Sequence, residues 1–277
     1  MLADSIVYNL RIAETTKDSD VVTSSQEHPL MVTMTPFGQF RKKRNGAQLM
    51  FGGGLGTVVY IRPTYYFRVD GAFARAVEKY QHIYQAHTQT DDILLSAGYS
   101  YPITDRTKMT FSLLLGLPTH EDRQFAIVQF GYAHIGLGPQ IDGAFQLGSS
   151  RRHSIRTAFR FIRFFPRYIP QCANNVQQFV EYNFGNMIDL FASYHINRDR
   201  NRFEIGCDIG FFNHRRTDTK IEPTIIRSSF YTSYKRLFAV ECHPAAWAIA
   251  LSSGFDNKVC NGYKHLITVW SSFRVNF

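Results

Sequence analysis

The last twelve residues, Leu266–Phe277, divide into two interleaved sets. Counting back from Phe277 gives Val275, Phe273, Ser271, Val269 and Ile267, which is mostly apolar. Between them lie Asn276, Arg274, Ser272, Trp270 and Thr268. A period of two belongs to an extended strand whose two faces meet different media. No helical period of 3.6 is sustained anywhere in the chain. A sequence that repeats this alternation many times must set one side of a large sheet against something apolar and the other against something polar.

The alternation does repeat. Met31–Arg41, Ala47–Ile61, Tyr65–Arg75, Asp92–Tyr101, Lys108–Leu117, Ala133–Leu147, Ser154–Phe165, Phe184–Ile196, Arg202–Phe212, Ile225–Arg236, Ala245–Phe255 and Leu266–Phe277 read as strands, twelve in all. In Ala133–Leu147, for example, Ile135, Leu137, Pro139, Ile141, Phe145 and Leu147 alternate with Gly136, Gly138, Gln140, Asp142, Ala144 and Gln146. Short connections follow strands two, four, six and eight, among them Arg62-Pro63-Thr64 and the polar turn Asn197–Asn201. Long ones follow strands three, five, seven and nine: Ala76–Asp91, Pro118–Tyr132, Pro166–Asn183 and Asn213–Thr224. Leu237–Pro244 is intermediate in length. The first connection, through Asn45-Gly46, is short and breaks the rule. An even strand count with alternating loop lengths predicts an all-β fold: a closed antiparallel transmembrane β-barrel of about twelve strands, with short periplasmic turns and longer external loops. Each strand is long enough for the roughly 9–11 tilted residues that cross a bilayer. Residues 1–29 are polar and poorly patterned and read as a leader or a plug; residues 30–277 read as a single barrel domain.

The closing strand, with its terminal aromatic residue and alternate apolar positions Phe273, Val275 and Phe277, resembles that of bacterial outer-membrane β-barrels. In those proteins this pattern is the signal read by the barrel-assembly machinery. A second resemblance runs through Leu115-Gly116-Leu117-Pro118-Thr119, Gly131 and Gly136-Leu137-Gly138. It is similar to the phenol meta-pathway outer-membrane transporter family, where a strand ending in Leu-Pro-Thr-Gly is followed by a loop and a glycine-rich strand; here His120 stands where that glycine is expected. The resemblance implies a barrel in the outer membrane that passes small, apolar or aromatic solutes, and it carries over no catalytic residue.

Composition constrains the alternatives. The net charge of +9 invites a nucleic-acid reading. Lys and Arg are spread along the whole chain, however, and the densest cluster, Arg41-Lys42-Lys43-Arg44, runs into a turn, so no nucleic-acid partner is expected. Mean hydropathy is slightly negative, which does not exclude a barrel, because alternation hides its apolar face. Aromatic residues make up 15%, with 24 Phe and 15 Tyr, and recur near strand ends as an interfacial girdle requires. The N-terminus lacks a basic region followed by a continuous apolar core, so it is not read as a signal peptide; for an exported barrel, the sequence is then a mature or truncated one. Cys172, Cys207, Cys242 and Cys260 show no metal spacing. Cys172 and Cys260 fall in loops and would pair only in an oxidising compartment; free buried thiols are the alternative.

The polar faces supply the candidate lumen lining: Arg68, Asp70, Asp92, Lys108, Gln140, Asp142, Arg156, Arg160, Asp189, Glu204, Asp208, Arg227, Lys235 and Arg274. Both signs are present. They form either a network of paired charges that narrows the interior or a polar path with a charge-selective constriction. Arg156 and Arg160 lie on one strand face, spaced as a basic ladder for anionic solutes. The glycines Gly52, Gly53, Gly54 and Gly56 lack the lysine and helix of a phosphate loop and read as a bend or close backbone approach. There is no nucleophile elbow and no zinc-protease helix motif. Ser193 and His195 are near neighbours but face inward, whereas an outer-membrane lipid hydrolase needs its serine and histidine on the outer wall. The expectation is a barrel for passage or uptake of small solutes, with outer-membrane lipid around it and no metal, cofactor or chemical step. A lipid hydrolase, a structural or adhesive barrel with a closed lumen, and a soluble β-sandwich or lipid-binding barrel are the alternatives.

Overall fold

The computed structural model describes residues 29–43, 46–80, 83–90, 92–119, 134–149, 152–173, 176–183, 185–212, 216–217, 220–221, 225–240, 243–256 and 263–276. Among these residues there are only strands, turns and irregular segments. The strands are β1 (Leu30–Lys43), β2 (Gly46–Arg62), β3 (Tyr65–Tyr80), β4 (Ile83–Thr90), β5 (Ile93–Thr104) and β6 (Thr107–Leu117). Then come β7 (Gly136–Leu147), β8 (His153–Phe164), β9 (Arg167–Ala173), β10 (Val176–Asn183), β11 (Asn186–Arg198) and β12 (Asn201–Phe212). The last are β13 (Arg216–Thr217), β14 (Lys220–Ile221), β15 (Ile225–Val240), β16 (His243–Asp256) and β17 (Tyr263–Asn276).

Twelve of these strands close into a cylinder. The ring runs β1, β2, β3, β5, β6, β7, β8, β11, β12, β15, β16, β17 and back to β1, every pair antiparallel. The closing pairing sets Val275 opposite Val32 and Phe273 opposite Met34; Phe277 itself lies outside the described residues. Closure gives each wall strand two hydrogen-bonding neighbours, which hydrocarbon requires because no water is there to satisfy an open edge. The wall strands run from 11 residues in β6 to 17 in β2, all long enough to cross a bilayer.

Each wall strand has a greasy outside and a covered inside. Along β12, Phe203 and Ile205 are 51% and 63% exposed, while Arg202, Glu204 and Asp208 are buried. Phe67, Leu113, Phe159, Leu190, Phe230, Leu251 and Val269 continue the outward belt around the ring. In water, a continuous apolar belt of this size would drive association; in a bilayer it is the wetted surface. Aromatic rings gather where the short turns lie. Tyr65 and Tyr99 have centroids 4.7 Å apart, Phe203 and Tyr234 5.2 Å, Tyr234 and Trp247 6.4 Å, and Phe238 and Phe273 6.0 Å. Such a ring of amphipathic aromatics suits the headgroup layer.

The twelve wall strands coincide with the twelve read from the sequence. Three of the expected long connections are not plain loops. β3 continues to Tyr80 and β4 folds back on it, Phe73 opposite Thr90. β9 and β10 form a hairpin in the segment expected to be irregular, and β10 pairs with β13. The physical reason lies in the sequence: Ile83–Thr90, Arg167–Ala173 and Val176–Asn183 mix polar and apolar residues on both phases, so no alternation marks them as strands. The Leu237–Pro244 segment is a tight hairpin, with Val240 opposite His243. Most of the Pro118–Tyr132 connection and residues 1–28 lie outside the described residues.

Candidate functional site

Strand parity builds the interior. Because side chains alternate across a pleated wall, the residues out of phase with the apolar belt turn into the cylinder. Arg68, Asp70, Asp92, Gln140, Asp142, Arg156, Arg160, Asp189, Glu204, Asp208 and Lys235 are all buried. Lys108 and Arg274 are half-buried. Arg227 stands opposite Gly210 and Asp256 in register, and its side chain is outside the described set. Phe273 and Val275, of the expected assembly signal, sit half-buried on the outward phase of β17. Cys207 is a free thiol; the expected Cys172–Cys260 pairing concerns atoms outside the described set.

The buried charges come in paired sets. Arg68 grips Asp70, two residues along β3, through a two-pronged contact: Nε to Oδ2 at 2.7 Å and Nη2 to Oδ1 at 2.9 Å. Gln140 Nε2 donates to both oxygens of Asp142, at 3.0 and 2.9 Å. Arg160 lies opposite both Gln140 and Asp189 in register and reaches Asp189 at 3.9 Å. Buried ions need partners of this kind, because removing a lone charge from water is very costly.

A second set spans β11, β12 and β15. Ser193 Oγ lies 2.7 Å from His195 Nε2, and Glu204 Oε1 lies 3.7 Å from that same nitrogen. Glu204 also accepts hydrogen bonds from the Tyr231 hydroxyl and, at 3.1 Å, from Ser233 Oγ. These are the residue types of a hydrolase, but a nucleophile–base–orienter relay needs the serine and the carboxylate on opposite ring nitrogens. Both here meet Nε2, so the geometry is that of a hydrogen-bond network. Glycine makes it fit: a Cβ on Gly206 would come within 2.5 Å of the Tyr231 ring, and one on Gly98 within 2.5 Å of the Tyr66 ring. The glycine run of β2 acts likewise, since a Cβ on Gly52 would meet the Phe37 ring at 2.6 Å.

Not all of the interior is polar. Leu94, Leu114, Ile162, Phe164 and Met187 are buried toward the long-connection ends of β5, β6, β8 and β11. On the opposite wall Phe37 pairs in register with Trp270, and both are buried. Sorting faces into polar and apolar passed these residues over, although Leu94, Leu114, Phe191 and Trp270 share the phase of the polar set. Three small side chains on β16, Ala246, Ala248 and Ala250, are buried on the same inward phase, with Ala250 beside Trp270 in register. At the turn end a cavity of about 410 Å³ opens, lined in part by Lys108, Gln146, Ser154, Arg156 and Asn197. The interior therefore has an apolar cluster at one end, where the buried Asp92 and His134 also lie, ion-paired walls in the middle and a basic mouth at the other.

No family model and no curated protein matches the chain. Solved structures do. An outer membrane channel from Pseudomonas putida F1 matches over 90% of this chain and 96% of its own, with a TM-score of 0.73 at 10% sequence identity. The β-domain of the Bordetella autotransporter Brka matches over 90% of this chain and 100% of its own, with a TM-score of 0.50 at 11% identity. At these identities the likeness is one of fold, and it agrees with the geometry: this chain has the fold of bacterial outer-membrane β-barrels.

Proposed function

We propose that the chain sits in a bacterial outer membrane and lets small solutes pass without a chemical step. The observation that carries this is the graded interior: an apolar cluster leading through ion-paired walls to a basic cavity of about 410 Å³ at the turn end. With the start of β1 and the end of β17 on the turn side, the turns face the periplasm and the long connections face outside. The apolar cluster favours solutes with an apolar body, in keeping with the resemblance to transporters of aromatic compounds, and the channel of similar fold from Pseudomonas putida F1 supports the transport reading. The solvent-buried state of Arg68, Arg160 and His195 implies a narrow path and a small unit conductance. The lipid around the belt and the assembly machinery that reads Phe273, Val275 and Phe277 are the other partners.

Purified barrel in liposomes tests the reading. Solute-dependent swelling above that of empty liposomes is expected for small solutes and absent for large sugars. Liposomes that stay tight to every solute would sink it. The burial of the interior charges favours, as a second reading, a structural barrel with a closed lumen, which that result would support.

A further inference from the structure

The cavity at the turn end is built differently from the rest of the interior. One side is the end of β5, the turn and the start of β6, Pro102–Lys108; the other is Ala144, Phe145, Gln146, Ser154, Arg156 and Asn197. The β5–β6 turn is braced there by the Arg106 amide donating to Thr104 Oγ1 at 3.2 Å and by the Gln146 amide donating to the Arg106 carbonyl at 2.8 Å. Three cations lie at graded depth: Arg106 exposed at the rim, Lys108 half-buried, and Arg156 buried at 2% exposure. The lining holds one acidic side chain, Asp105, exposed at the rim. The next carboxylate inward, Asp142, lies on β7 two residues before Ala144; both of its oxygens accept from the Gln140 amide, and it also feels the charge of Arg156. Hydroxyl and amide groups of Ser154, Gln146 and Asn197 complete the polar lining.

We propose that this mouth binds the carboxylate of a small amphipathic acid, a molecule with an apolar body and a single negative charge. The inference rests on the solute-passage reading and names its substrate class. A guanidinium offers a planar fork that matches a carboxylate, and an ammonium adds a point charge beside it. A space of about 410 Å³ falls in the range of small-molecule sites, roughly 300–1,000 Å³. The apolar cluster sets the rest of the class. Leu94, Leu114, Ile162, Phe164 and Met187 gain by contact with an apolar body, whereas a bare, multiply charged anion loses hydration there and meets the buried Asp92 at the same end. A singly charged acid with a ring or short alkyl body meets both ends of the path on favourable terms.

The test is a calorimetric titration of the full-length, detergent-solubilised barrel with benzoate, benzylammonium and inorganic phosphate as probes. Benzoate is expected to bind, and benzylammonium and phosphate are expected to bind far more weakly. Lys108→Gln should weaken benzoate about tenfold, the scale of one hydrogen bond to a charged group. Arg106→Gln should weaken it less, and Arg62→Gln, at the turn end but outside the cavity, should leave it unchanged. Equal binding of benzoate and benzylammonium, or an unchanged affinity in Lys108→Gln, overturns the proposal; phosphate binding as tight as benzoate overturns the acid class in favour of a plain anion site. Because the titration needs no conduction, tight liposomes with intact benzoate binding would sink the transport reading and leave the site standing.

Discussion

Tyr231 shows how one missing side chain sets a network. Its ring lies over Gly206, its register partner, and stacks on Phe191 with centroids 5.9 Å apart. Only with the ring flat against the wall does the hydroxyl reach Glu204. Gly206→Val should lift the ring and leave the carboxylate short of a donor, at a cost of about 1–3 kcal/mol. Urea unfolding in lipid vesicles measures it, and a midpoint equal to the parent's would contradict the account. Arg68 and Asp70 make a sharper case, because both are buried and joined by two hydrogen bonds. Asp70→Ala takes both of these hydrogen bonds from a buried guanidinium and should cost roughly 3–5 kcal/mol, whereas the double change Arg68→Met with Asp70→Leu should lie close to the parent, since a well-packed apolar pair avoids the desolvation of two ions. If the double variant is as unstable as the single one, the charges matter for more than each other.

At the scale of strands, the sequence announced whatever touches lipid. Leu113, Phe159, Ile205, Phe230 and Val269 are apolar because hydrocarbon demands it, and they alternate because the wall is pleated, so all twelve wall strands were legible to within a few residues. β4, β9 and β10 were not, since each mixes polar and apolar residues on both phases. The apolar cluster was hidden for another reason: an inward Leu94 beside an outward Ile93 and Leu95 blurs the alternation. The pairs that join the interior charges depend on register between strands distant in sequence, and no local pattern carries that. The closing strand remains the element whose two jobs can be separated. Phe273 packs on Phe238 in the turn-end girdle, while Phe273, Val275 and Phe277 are proposed as the assembly signal. Deleting Phe277 should lower the amount of assembled barrel in cells severalfold, read as heat-modifiable protein in outer-membrane fractions, yet leave refolding from urea into lipid vesicles unchanged. Loss of both would assign the residue to stability alone.

For the whole molecule the deciding question is which side of the wall the solvent tolerates. In a soluble barrel or sandwich, an exposed Phe230 or Ile205, each 63% exposed, is a surface position, and lysine there would be neutral or would improve solubility. In a bilayer the same lysine must be carried into hydrocarbon, at about 2–4 kcal/mol near the midplane and less toward the interfaces. Phe230 stands opposite Cys207, and Ile205 lies two residues nearer the turn on β12, so the penalty should be larger for Phe230→Lys than for Ile205→Lys. The interior answers oppositely. Ser233, buried between Glu204 and Lys235 on the inward phase, would place an added lysine beside Lys235 but also beside a carboxylate, a counter-ion that the outward positions lack, so Ser233→Lys should be tolerated better than either outward change. Folding stability in vesicles, compared across the three variants, ranks them Phe230→Lys, Ile205→Lys, Ser233→Lys from most to least damaging. A cylinder surrounded by water instead of lipid would reverse that order, because the outward lysines would then be hydrated and the inward one crowded.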